Sequence, residues 1–96
     1  MNFEQFKASL DQATPPAGLS NALQALWQMG KGDWKAAHVL AQAQEDAVGS
    51  WVHAYLHREE GDEANAAYWY RRANQPVSQQ PLEKEWAEIA QALLDN

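Results

Sequence analysis

Gly61-Asp62 constrains this chain more than any other dipeptide in it. It divides residues 49–73 into two short helical patterns, with glycine suited to ending the first and aspartate to capping the second. Two short patterns joined so sharply fold back as an antiparallel α-hairpin. Half of the chain's aromatic residues and two of its three histidines fall inside this stretch. The hairpin can therefore supply both a core and the polar groups of a site.

The remaining chain bounds the answer. At 96 residues it is one domain, expected over 1–96, with enough apolar content (46%) for a single modest core. Cysteine is absent, which removes disulfides, thiolate chemistry and cysteine-based zinc sites and fits a reducing cytoplasm. A net charge of −6 disfavours nonspecific attraction to nucleic acid or to anionic lipid. No apolar run approaches the ~20 residues that span a bilayer, and the N-terminus lacks the basic-then-apolar layout of a signal peptide. A cytoplasmic protein without membrane or nucleic-acid partners is expected.

Apolar spacing predicts an all-α fold of five to six short helices in antiparallel hairpins. Asn2 caps a first helix over 2–12, with Phe3, Phe6 and Leu10 on one face. Thr14-Pro15-Pro16 reads as the start of a second helix, and residues 16–44 as a helical pair broken at Gly30-Lys31-Gly32. Leu19, Ala22, Leu23, Leu26 and Met29 form the buried stripe of its first member, with Trp27 at the edge. Asp33 caps the second member, which is apolar on two sides: Trp34, Ala37 and Ala41, then Ala36, Leu40 and Ala43. A second pair covers 50–73, capped by Ser50 and Asp62. In its first helix Trp51, Val52, Ala54, Tyr55 and Leu56 make an apolar arc, with His53, His57 and Glu60 opposite. Pro81 opens a last helix over 81–94, packing through Leu82, Trp86, Ile89 and Leu93.

Residues 32–37, Gly-Asp-Trp-Lys-Ala-Ala, can be laid over residues 61–66, Gly-Asp-Glu-Ala-Asn-Ala, an internal repeat of 29 residues. Gly61, Asp62, Ala66, Tyr70 and Ala73 resemble the second half of a tetratricopeptide unit. Gly32, Asp33 and Ala37 follow the same pattern, while Ala41 and Gln44 stand where an aromatic and a last alanine are expected. Ala25 and Ala54 hold the small-residue position of the preceding helices, and Asn21 and Ser50 replace the early tryptophan. A wider resemblance covers Gly-Asp-Trp-x-x-Ala-His at 32–38, Trp-Val-His-Ala-Tyr-Leu-His-Arg-x-Glu-Gly-Asp at 51–62 and Asn-Ala-x-Tyr-Trp-Tyr-Arg-Arg-Ala at 65–73. It is similar to a family of small bacterial proteins without an assigned activity, which implies a cytoplasmic, compact helical domain.

The chemistry-bearing residues gather in the same region. His53 and His57 are four apart on one helical face, Glu60 follows at three, and His38 can join from the adjoining helix. No familiar zinc signature is present, so these residues are read as binding or packing groups, with none assigned to catalysis, a metal or a cofactor. Tyr68, Trp69 and Arg72 add an aromatic and cationic edge of the kind found in contact surfaces. Asn65 is expected to bond across to the preceding helix, Arg58 to pair with Asp62, and Trp34, Tyr55 and Trp69 to floor a groove. The expected function is protein or peptide binding by a helical-repeat module. The alternative is a histidine-based metal-binding protein or acid–base enzyme using His53, His57 and Glu60.

Overall fold

The two Gly-Asp turns are built alike. In the computed structural model, which describes residues 1–95, Gly32 and Gly61 take φ of +85° and +88°, a left-handed conformation that costs glycine little. At the first turn the Gly32 amide donates to the Met29 carbonyl and the Asp33 amide to the Gln28 carbonyl. At the second, Gly61 donates to Arg58 and Asp62 to His57. This is the Schellman closure of a helix end. Each aspartate then accepts an orphan amide of the next helix, from Ala36 at 3.0 Å and from Asn65 at 3.2 Å.

Six α-helices result among the described residues: α1 (Phe3–Ala8), α2 (Asn21–Gly30), α3 (Trp34–Ala43), α4 (Ala47–Glu59), α5 (Glu63–Ala73) and α6 (Leu82–Leu94). The all-α expectation holds, and no described residue lies in a strand. No described helix is long and apolar enough to cross a membrane. Asn96, the last residue of the expected domain, lies outside the described residues. Helices α2–α3 and α4–α5 form two hairpins, and α4 also packs on α3, α2 and α6. The centre of the molecule is α4, where all six residues from Val52 to His57 are buried.

Several helix starts differ from those predicted. Pro15-Pro16 opens no helix: the segment stays irregular, Gly18 takes φ +83°, and α2 begins at Asn21 under the Ser20 hydroxyl. The cap of α4 is Asp46 and not Ser50, which is buried within the helix. Gly49 lies in the first turn of α4, pressed against the end of α3. A Cβ built there would fall 1.8 Å from the Gln44 carbonyl oxygen, so only glycine allows the two helices to meet so closely. The first helix is α-helical only to Ala8 and ends in a 3-10 turn over Ser9–Asp11.

Burial departs from the expected stripes in two places. Trp27, expected at an edge, is 1% exposed, because the Ser9 turn folds over it and Ser9 Oγ accepts its indole N–H at 3.1 Å. The second apolar side of α3 is covered only in part. Ala37 and Ala41 are buried, while Ala36 and Leu40 are half-buried and Ala43 and Val39 exposed. At the far end, α6 closes the core. Trp86 stacks on Phe6 with ring centroids 5.7 Å apart and donates its indole N–H to the Leu26 carbonyl at 2.8 Å.

One polar network lies under α6. Glu85 is 3% exposed, accepts from Arg58 Nη1 at 2.8 Å and accepts the Tyr70 hydroxyl. Arg58 also donates to the Gln80 carbonyl. Arg58 thus pairs with Glu85 and not with Asp62 as expected, since the return of α6 offers a buried carboxylate while Asp62 is engaged as a cap. Burial, the hydrogen bond to Glu85 and the charge of its carboxylate push the Tyr70 phenol well above its usual range.

Candidate functional site

Helices α3, α4 and α5 bring every histidine of the chain together. His38 comes from α3, His53 and His57 from successive turns of α4, and Trp69 closes the row from α5. The rings form a continuous series. Trp34 lies nearly parallel to His38 with centroids 4.8 Å apart, and His38 meets His53 edge-on at 4.6 Å and His57 at 5.4 Å. His53 and His57 are 4.8 Å apart, and Trp69 stacks on His53 at 3.9 Å and 15°. Each imidazole offers one nitrogen that lies within 4.8 Å of the other two.

The spacing of four along α4 put His53 and His57 on one face, but that face is not an outer edge. Because α3 and α5 both pack on α4, His53 is 3% and His57 7% exposed, while His38 is half-buried. His57 Nδ1 lies 2.8 Å from Glu60 Oε1, a contact of helical spacing that orients the ring. Neither His38 nor His53 makes a side-chain hydrogen bond among the described residues, and no buried side-chain nitrogen or oxygen is left unpartnered there. Their nitrogens therefore keep access to solvent.

Burial and neighbouring charge hold His53 and His38 toward their neutral forms. Burial first, then the neighbouring His38, His57 and Arg72, lower the His53 imidazole to about 4. Burial and His57 also lower His38, against a smaller raising influence from Glu60. Neutral imidazole keeps a lone pair on one nitrogen, free to accept a proton or to bind an ion.

His53 and Trp69 open onto a cavity of about 620 Å³. Its other walls include Gln42, Gln44, Glu45, Asp46 and Ser50 from α3, the α3–α4 turn and α4, with Arg72 from α5. Arg72 is exposed and lies over the Trp69 ring at 5.0 Å and the Tyr68 ring at 5.8 Å, donating to the Tyr68 hydroxyl at 3.1 Å. Tyr68 itself is 43% exposed. The predicted residues His38, His53, His57, Glu60, Trp69, Arg72 and Tyr68 thus form one connected group.

Asn65 and Tyr55 stand apart from it. Asn65 is exposed and its amide reaches Asp62 at 3.4 Å, so it belongs to the cap of α5 and not to a bridge with α4. Tyr55 faces the other side of α4, donating to Glu59 at 3.1 Å and lining a separate cavity of about 340 Å³ with Leu10, Met29 and Trp86. Of the predicted groove floor, only Trp34 and Trp69 flank the histidines. Sequence reasoning placed neither Gln44 nor Glu45 in the site. Gln44 had one visible signal, a polar residue where the repeat pattern expects alanine: its Oε1 accepts the Ala22 amide at the start of α2 at 2.8 Å. Compared with family models, curated proteins and solved structures, the chain finds no match.

Proposed function

We propose that this protein is a binding module of the tetratricopeptide-like helical-repeat kind, working in the cytoplasm and taking a peptide or a segment of a partner protein. The observation that carries the reading is the 620 Å³ cavity walled by Trp69 and Arg72. Tryptophan and arginine are the residue types that most often dominate binding energy at interfaces. Here they come preassembled, with the guanidinium already resting on the indole. A pre-ordered platform loses less side-chain entropy when a ligand arrives. The two similar Gly-Asp hairpins support the repeat aspect of the reading, since stacked helical pairs present shared concave surfaces.

The lining suggests the chemistry of the segment. A carboxylate of the ligand suits Arg72, and an apolar or aromatic side chain suits the open edge of Trp69. Glu45, on the same cavity, favours a donor or cation elsewhere in that segment. Selection from a random displayed-peptide library with the purified protein tests this. Enriched peptides should share an acidic residue and lose roughly tenfold or more in affinity against Arg72→Glu, the loss of about 1.4 kcal/mol or more. Arg72 is exposed, so the variant should stay folded by circular dichroism, with only a small fall in melting temperature from the lost Tyr68 and Trp69 contacts. If no peptide is enriched, or enriched peptides bind Arg72→Glu equally well, the reading falls.

A further inference from the structure

We propose that His38, His53 and His57 form a site for one divalent transition-metal ion of the zinc type, with Glu60 orienting His57 and one coordination position open. The inference does not depend on peptide binding. It begins from convergence: the chain has three histidines and no cysteine, and all three imidazoles meet although they come from two helices. Simple packing has no need to gather them, because any apolar ring of similar size fills the same space between Trp34 and Trp69.

The geometry suits a shared ion. With zinc–nitrogen bonds of about 2.0–2.1 Å and near-tetrahedral angles, rings on one ion have centroids roughly 5 Å apart. The three separations here are 4.6, 4.8 and 5.4 Å. The donor nitrogens, now within 4.8 Å of one another, need to draw in to about 3.4 Å, a matter of small side-chain rotations. His53 and His57, four apart on α4, give the rigid two-ligand base, and His38 supplies the third ligand from α3.

The outer contacts fit as well. Metal-bound histidines commonly give their second ring nitrogen to a carboxylate, which fixes the tautomer and strengthens the ligand. Glu60 lies 2.8 Å from Nδ1 of His57, which leaves Nε2 for the ion. Three imidazoles with no thiolate suit zinc, copper, nickel or cobalt and not calcium or magnesium, which take oxygen ligands. Three protein ligands also leave a fourth position, and His53 faces the open cavity. A centre of that form can hold water or a small anion, unlike a closed four-ligand structural zinc.

The test uses the tag-free 96-residue chain treated with chelator, titrated with Zn²⁺ alone by calorimetry and with Co²⁺ by visible absorption. Saturation at one equivalent with Kd below about 1 μM is expected, with the intense visible bands of four-coordinate cobalt. His38→Gln is the decisive variant, because His38 is half-buried and makes no side-chain hydrogen bond, so the fold should survive. Its affinity should fall by more than the roughly 10–100-fold that loss of an outer-shell partner brings. Glu60→Gln should fall within that smaller range. Absence of saturable Zn²⁺ and Co²⁺ binding to the parent protein overturns the proposal. So does a His38→Gln protein, shown folded by circular dichroism, that binds as tightly as the parent.

Discussion

His53 is held between the Trp69 ring on one side and His57 on the other, with His38 edge-on and Arg72 within electrostatic reach. Its imidazole is lowered to about 4 in the folded protein, against about 6.5 for an unperturbed one. Between those values the unfolded chain binds a proton that the folded protein does not. Stability of the metal-free protein is therefore full above about pH 6.5 and declines as pH falls toward 4, by at most about 1.4 kcal/mol per pH unit for this one group. His38 is lowered too and steepens the decline. Urea unfolding at a series of pH values checks this, and His53→Gln should flatten the slope. A second buried residue makes a separate prediction. Glu85→Ala leaves the Tyr70 hydroxyl without its acceptor and Arg58 with only the Gln80 carbonyl and should cost about 3 kcal/mol, the low end for a broken buried pair because Arg58 is partly exposed. Denaturant midpoints measure it; a loss under about 1 kcal/mol would count against the pairing.

Among the elements, α4 shows most clearly what could be read in advance. The Gly-Asp turn, the Asp62 cap and the helical spacing of Trp51, Val52, Tyr55 and Leu56 are local signals, and local structure follows them. What covers the opposite face is not local. His53 and His57 look like a solvent-facing polar edge until α3 and α5 close over them, and only tertiary packing decides that. The start of α4 was hidden for a related reason. Ser50 is a good cap in isolation, but Asp46 lies one turn earlier and its carboxylate takes the Gly49 amide at 2.8 Å. Gly49 precedes the expected Ser50 cap, and its constraint is the Gln44 backbone across the turn. Gly49→Ala should therefore destabilise by about 2–3 kcal/mol as α3 and α4 are forced apart. Helix propensity alone predicts the reverse sign, so a thermal melt separates the two arguments.

At the scale of the whole molecule, the two hairpins depend on a helix far from them in sequence. Trp86, Ile89 and Ala90 of α6 join the same core as Leu26, Val52 and Leu56, and Glu85 completes the network of Arg58 and Tyr70. Removal of residues 81–96 should leave a chain with helical far-ultraviolet dichroism but without cooperative unfolding, and with hydrophobic surface that binds a reporter dye. A sharp two-state melt of that fragment would show the hairpins to be self-sufficient. The candidate site follows the same logic: its residues were visible one by one, but their convergence needed the packing of α3 and α5 on α4.

The stack of Trp69 on His53 at 3.9 Å and of Trp34 on His38 at 4.8 Å also gives the molecule an internal optical gauge. Indole emission is quenched when an adjacent imidazole gains a proton or an adjacent ion is paramagnetic. Two of the five tryptophans lie against the cluster, and the other three, Trp27, Trp51 and Trp86, supply a steady background. The intrinsic fluorescence of the unlabelled protein should thus report the state of the histidines directly, dimming as acid protonates them.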